Sequence, residues 1–218
     1  MIFGLGKEKI DYSHAALYCI GTIWTTAQIL ERIWDEADLD KLPNFKENEQ
    51  KIGMAISAYN RALIHICPSI ARDQAEDLNR FILMYRYFGI YDIPVGNINV
   101  KGDFNSFKQY VEADDQTEKI LERNAGKENP SISFLFGIMD ILEVKESSKD
   151  EIIKELKDMK VYLDPDEVGE KGTLLDLMQG IAGMLNQYFQ SVNIRVSEQD
   201  QDIFHAVIDE GSYVDYIR

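Results

Sequence analysis

Cysteine is scarce: Cys19 and Cys67 are the two thiols in a chain of 218 residues. Each lies in an apolar stretch, Leu17-Tyr18-Cys19-Ile20 and Ile64-His65-Ile66-Cys67, where a free thiol behaves as a small buried hydrophobe. Two cysteines do not make a disulfide framework, so a reducing, cytoplasmic setting is expected. Residues 1–9 do not show the apolar core of a secretory signal. Long hydrophobic runs are also lacking. The longest uncharged run, 13–30, contains Ser13, His14, Thr22, Thr25, Thr26 and Gln28. Such side chains are costly in hydrocarbon, so the run reads as a core helix and no membrane contact is expected.

Catalytic signatures are missing as well. The chain has no Gly-x-Ser-x-Gly elbow, phosphate loop, dinucleotide fingerprint or His-Glu-x-x-His. His65 and Cys67 are two apart, so on one helix they point in different directions. The expectation leans toward a non-enzymatic role, with no cofactor expected.

Positive charge is in deficit. Against 38 acids stand 23 bases, a formal net charge of -15. That sign repels phosphate backbones and attracts basic surfaces, which argues against direct nucleic-acid binding. Hydrophobic residues make up 45%, enough for a chain of this length to bury a core without staples.

What is present is helical periodicity. Ala16, Ile20, Ile23, Ala27, Leu30, Trp34 and Ala37 recur at three- and four-residue steps, lining one face of a helix over 13–37. Leu17, Trp24 and Ile33 are read as widening that apolar stripe. Asn44 with Glu47 forms a capping box for a second helix, which Pro68 should end. Further helices are expected from about 69 to 89, 103 to 125, 131 to 142, 148 to 161, and 173 to 190, with a last one opened by Ser197 and Asp200. Gly180 and Gly183 are expected to let a neighbour approach closely. Pro94, Gly96, Asn97, Asn99 and Gly102 mark an irregular stretch at 92–103, with a short hairpin near 95–101. The expected fold is all-α: an irregular bundle of seven to eight helices in one domain, 1–218, with 92–103 as its weak sub-boundary.

Three function classes compete. The first is an acidic interaction protein of immunity, inhibitor or adaptor type, or a mimic of nucleic-acid charge, docking on a basic partner. Its candidate residues are Asp35, Glu36, Asp38 and Asp40, with Asp202, Asp209 and Glu210 from the last helix. The second is a helical metalloprotein. Asp202, His205 and Asp209 share a helical face, and Asp11 with His14 repeats an Asp-x-x-His spacing. The third binds a small anionic or aromatic ligand through Arg80, Tyr85, Arg86, Tyr87 and Tyr91, where arginine beside tyrosine can stack or pair. The plainer alternative there is that the aromatics fill the core and the arginines pair with the chain's own acids.

Two weaker motifs complete the reading. Asp164, Asp166 and Gly169 begin a calcium-loop pattern, but Val168 and Leu175 stand where ligands are required, so a polar connection is expected. Asp140 sits in an apolar run, and Ser133, Gly137 and Asp140 share a helical face that reads as the solvent side.

Overall fold

The computed structural model describes residues 7–37, 43–88, 104–124, 126, 130–162 and 169–201. In chain order these form β1 (Glu8–Asp11), α1 (Tyr12–Ala37), a 3-10 turn (Lys46–Asn48), α2 (Glu49–Ile66), α3 (Arg72–Phe88), α4 (Phe104–Asn124), α5 (Pro130–Ile141), α6 (Glu146–Asp158), β2 (Val161–Tyr162), β3 (Lys171–Gly172), α7 (Leu174–Ser191) and β4 (Val192–Arg195). The class is all-α, with eight helical segments and only short strands among the described residues. No described helix is long and apolar enough to cross a membrane. The expected hairpin near 95–101 lies outside the described residues.

The chain divides into two compact units, and the division falls inside α1, α2, α4 and α7. The first comprises Met1–Ile20, Ile64–Glu112 and Leu185–Arg218. Its β1 and β4 pair in parallel, with Glu8 opposite Val192 and Asp11 opposite Arg195. Val192 and Ile194 are buried while Asn193 and Arg195 are exposed, the two-residue alternation of a half-buried strand. The fold of this unit hinges on Asp200, which is 1% exposed. Its carboxylate accepts the Tyr12 and Ser13 backbone N–H groups at 3.1 and 3.2 Å and the Ser13 hydroxyl at 2.7 Å. It also accepts the Ser197 N–H at 3.0 Å, while the Asp200 N–H donates to Ser197 Oγ. One side chain thus caps the start of α1 and the helix that opens after Ser197. Tyr12 stacks on Phe81 at 5.5 Å and Tyr18 on Tyr188 at 3.7 Å. Burial, with Asp77, Asp73 and Asp200 nearby, pushes the Tyr12 hydroxyl up to about 12.

The second unit comprises Gly21–Leu63 and Ala113–Met184. Its apolar core includes Ile29, Leu30 and Ile33 of α1, Ile52 and Ile56 of α2, Phe134, Leu135 and Ile138 of α5, and Ile152 and Leu156 of α6. Each large side chain so buried contributes about 1.5–3 kcal/mol relative to exposure. Gly137 of α5 is buried against α4: a Cβ there would come within 3.4 Å of the Leu121 Cα. The face shared by Ser133, Gly137 and Asp140 is therefore a packing face and not the solvent side expected. Gly137 lets the two helices come together. Asp140 is partly exposed, and it accepts Asn124 Nδ2 at 2.7 Å and the Lys149 ammonium. The hydrogen bonds that the Lys149 ammonium donates to Asp140 and then Glu146 raise it above its usual range.

Three local expectations need correction. Gly180 and Gly183 are exposed, and nothing among the described residues stands within 4 Å of where a Cβ would be. The sixth helix ends at Asp158, so Val161 belongs to a β2–β3 pair, with Val161 opposite Gly172. Leu17 is 38% exposed and Trp24 is 70% exposed, so neither belongs to the buried stripe of α1. At about 100° per residue, Trp24 lies nearly opposite Thr26, which is buried. In the second unit the buried face of α1 runs through Thr22, Ile23, Thr26, Ile29, Leu30, Ile33 and Trp34. Two threonines occupy places where apolar residues were sought, and that shift rotates the true stripe away from Trp24.

Candidate functional site

Turning α1 by its buried face fixes what it shows to solvent. Within the second unit Gly21, Trp24, Gln28, Asp35 and Glu36 are exposed, and Glu31 and Arg32 are partly so. Trp24, Gln28, Glu31 and Asp35 follow at steps of four, three and four, within about 60° of one another on an ideal helix. The line from Trp24 to Asp35 is about 16 Å long at the ordinary helical rise. Below the indole, Gln28, Glu31, Arg32, Asp35 and Glu36 line an open groove of about 450 Å³.

The electrostatics of the groove are one-sided. Three of its five lining residues are acids and one, Arg32, is a base. Arg32 Nη1 donates to the Tyr162 carbonyl of β2 at 3.4 Å. Lys171 Nζ sits 4.7 Å over the Tyr162 ring. Arg32 and Lys171 are thereby both engaged with the β2–β3 pair. Below the groove Trp34 is buried, and its Nε1–H donates to the Pro43 carbonyl at 2.8 Å while its ring meets Phe45 edge-on. These contacts anchor the last turns of α1.

Of the acidic residues singled out in the sequence, Asp35 and Glu36 stand on this face, whereas Asp38, Asp40, Asp202, Asp209 and Glu210 lie outside the described residues. Sequence reading missed Glu31, Gln28 and Trp24. Glu31 was detectable as the step of four before Asp35. Trp24 was hidden by the assumption that a large aromatic in an uncharged run is core.

Of the metal-centred candidates, Asp11 and His14 are described, and Asp202, His205 and Asp209 lie outside the described residues. Asp11 Oδ1 accepts the His14 backbone N–H at 2.8 Å and also meets the His14 ring Nδ1. Asp11 is thus the N-cap of α1, and His14 is exposed beside it. His205 lies outside the described residues. A different carboxylate group does assemble: Asp114, Asp115 and Glu118 of α4 bring oxygens within 4.8 Å of one another. Its charge is answered by protein, because the Arg61 guanidinium binds Asp114 and reaches Glu118 at 3.2 Å. Asp114 is fully buried, so this is an internal ion pair between α2 and α4.

The Arg–Tyr segment on α3 is similarly occupied. Tyr85 is buried 6.4 Å from Phe81. Arg80 donates to Asp77 at 2.9 Å, and Arg86 is partly buried. The side chain of Tyr87 and all of Tyr91 lie outside the described residues. His65 is exposed while Cys67 is buried with its Sγ 3.5 Å from Asn186 Oδ1. Cys19 is fully buried, and burial pushes its thiol well above the ordinary range, which makes it a poor nucleophile. The Asp164–Asp166 portion of the calcium-like pattern also lies outside the described residues. Comparison with protein-family models, with curated proteins and with solved structures gives no match for this chain.

Proposed function

We propose that this chain is a non-enzymatic interaction protein that docks on a basic partner surface through the acidic face of α1. The observation that carries the reading is the groove lined by Glu31, Asp35 and Glu36, whose one base, Arg32, is turned to the Tyr162 carbonyl. A face of this kind suits an inhibitor, immunity or adaptor protein, or one that presents negative charge in place of a nucleic acid. The net charge of -15 adds long-range steering toward a cationic partner. Free thiols at Cys19 and Cys67 fit a reducing, cytoplasmic setting for this role.

Salt and local charge test it together. Calorimetric titration with oligolysine should give binding that weakens steeply between about 50 mM and 300 mM salt, as the screening length contracts. The variant E31Q/D35N/E36Q should bind at least about tenfold more weakly and show a flatter salt dependence. Neutralising three acids elsewhere, E122Q/D150N/E155Q, should change affinity far less. Equal losses in the two variants would mean that oligolysine senses net charge and no particular face.

A further inference from the structure

Trp24 is 70% exposed, and it stands one turn above the acidic groove on the same helix. Exposing so large an apolar ring to water is unfavourable, and the uncharged tip of the face is unlike the acidic surface that follows it. Beside the ring, one turn toward the N-terminus, Gly21 leaves open space where a side chain would stand. A glycine next to an exposed aromatic forms a notch and a ridge, the relief that a second helix needs to approach within the usual 8–10 Å of axis separation. The backbone of α1 spends its hydrogen bonds internally, so this face offers no edge to an added strand.

Resting on the reading of the acidic face above, we propose that Trp24 is the apolar anchor of that face, and that its occupant is an amphipathic basic helix of a partner protein. The partner helix lies along α1 for about three turns. An aliphatic or arginine side chain covers the indole and fills the Gly21 notch, since a guanidinium or ammonium is attracted to the face of a tryptophan ring. Lysine or arginine residues further along meet Glu31 and Asp35. Charge complementarity selects this occupant. A second copy of the chain would set carboxylates against carboxylates, and an anionic lipid surface would be repelled by the same groups.

Three probes separate the two levels of the reading: a Leu/Lys amphipathic helix, the same composition with a central proline, and oligolysine of equal charge. The readout is affinity together with acrylamide quenching of Trp24, the other tryptophan, Trp34, being buried. The amphipathic helix should bind most tightly, shift tryptophan emission to the blue and protect Trp24 from quenching. W24A should weaken that probe by about tenfold, in line with tryptophan as an interface anchor, and weaken oligolysine far less. G21L should block the helical probe in the same selective way. Both positions are exposed, so these variants keep the fold, which circular dichroism verifies. Equal binding of all three probes, or W24A without effect on the helical one, would overturn the Trp24 anchor and leave the acidic face standing. Failure of oligolysine to bind at low salt, or insensitivity of its binding to E31Q/D35N/E36Q, would overturn the acidic face itself.

Discussion

Replacing Arg61 with methionine should lower stability by about 3–5 kcal/mol, the usual cost of leaving one partner of a buried ion pair without the other. Arg61 lies on α2 with its side chain 8% exposed, and the Asp114 side chain opposite it on α4 is 0% exposed. Glu118 is the better placed of the two acids to tolerate the loss, since its side chain is 29% exposed and can turn to water. Asp114 cannot do this without opening the packing between the helices. The cost should therefore come from Asp114, and removing both charges should recover most of it. In urea denaturation R61M is expected to unfold at a much lower midpoint than wild type, and R61M/D114L to return toward it. A double variant no more stable than R61M would mean that the pair is not what the buried site depends on.

The second large effect belongs to Asp200. Asp200→Ala removes four acceptor contacts at once: those to Tyr12 N, Ser13 N, Ser13 Oγ and Ser197 N. A single capping residue is worth about 1–2 kcal/mol, and buried donors left without partners add to the loss. We expect about 2–4 kcal/mol for D200A, less for D200N, which keeps one carbonyl oxygen, and about 1 kcal/mol for S13A. Thermal melts of the three variants check this order. S13A as damaging as D200A would mean that the hydroxyl, and not the carboxylate, holds the start of α1.

These two sites also show where the sequence was legible. The helices were, because their apolar positions recur every three or four residues and their ends carry chemical marks. Asn44 accepts the Glu47 N–H at 3.3 Å in the 3-10 turn that leads into α2, α2 ends two residues before Pro68, and Thr173 with Asp176 closes a cap before α7. The Thr173 N–H, and then its hydroxyl, hold the Asp176 carboxyl below its ordinary range. Such signals are local, so a single chain displays them.

Pairings between distant segments were not legible. Nothing local in Glu8–Asp11 announces a strand, because its partner Val192–Arg195 lies at the other end of the described chain. Asp114 is one of four acids in the middle of α4, with Glu112, Asp115 and Glu118, and charge alone does not set it apart from them. Yet Val111, Asp114 and Thr117 are buried at three-residue steps, and Arg61 stands between buried Ala58 and Ile64 in the same way. A lone acid in one buried stripe and a lone base in another was the available signal. For the candidate site the reverse error occurred. Asp35 and Glu36 were found from charge alone, whereas Trp24 was assigned to the core by size. The threonines at 22 and 26 should have rotated the stripe: Thr26 is buried with its hydroxyl bonded to the Thr22 carbonyl at 2.7 Å, and Thr22 Oγ1 accepts Asn60 Nδ2 at 2.9 Å. A β-hydroxyl that bonds back onto its own helix can be buried at modest cost, so polar type alone did not mark the outer face.

The central claim is that one face of α1, from Trp24 to Glu36, receives a cationic partner. Proton–nitrogen chemical-shift mapping of the labelled protein with the Leu/Lys helix tests it most directly. The Trp24 indole signal and the backbone signals of Gln28, Glu31 and Asp35 should move together and saturate at one ligand equivalent, with the exposed Gly180 and Gly183 of α7 unmoved. Shifts scattered over acidic residues throughout the chain, or concentrated away from α1, would contradict it.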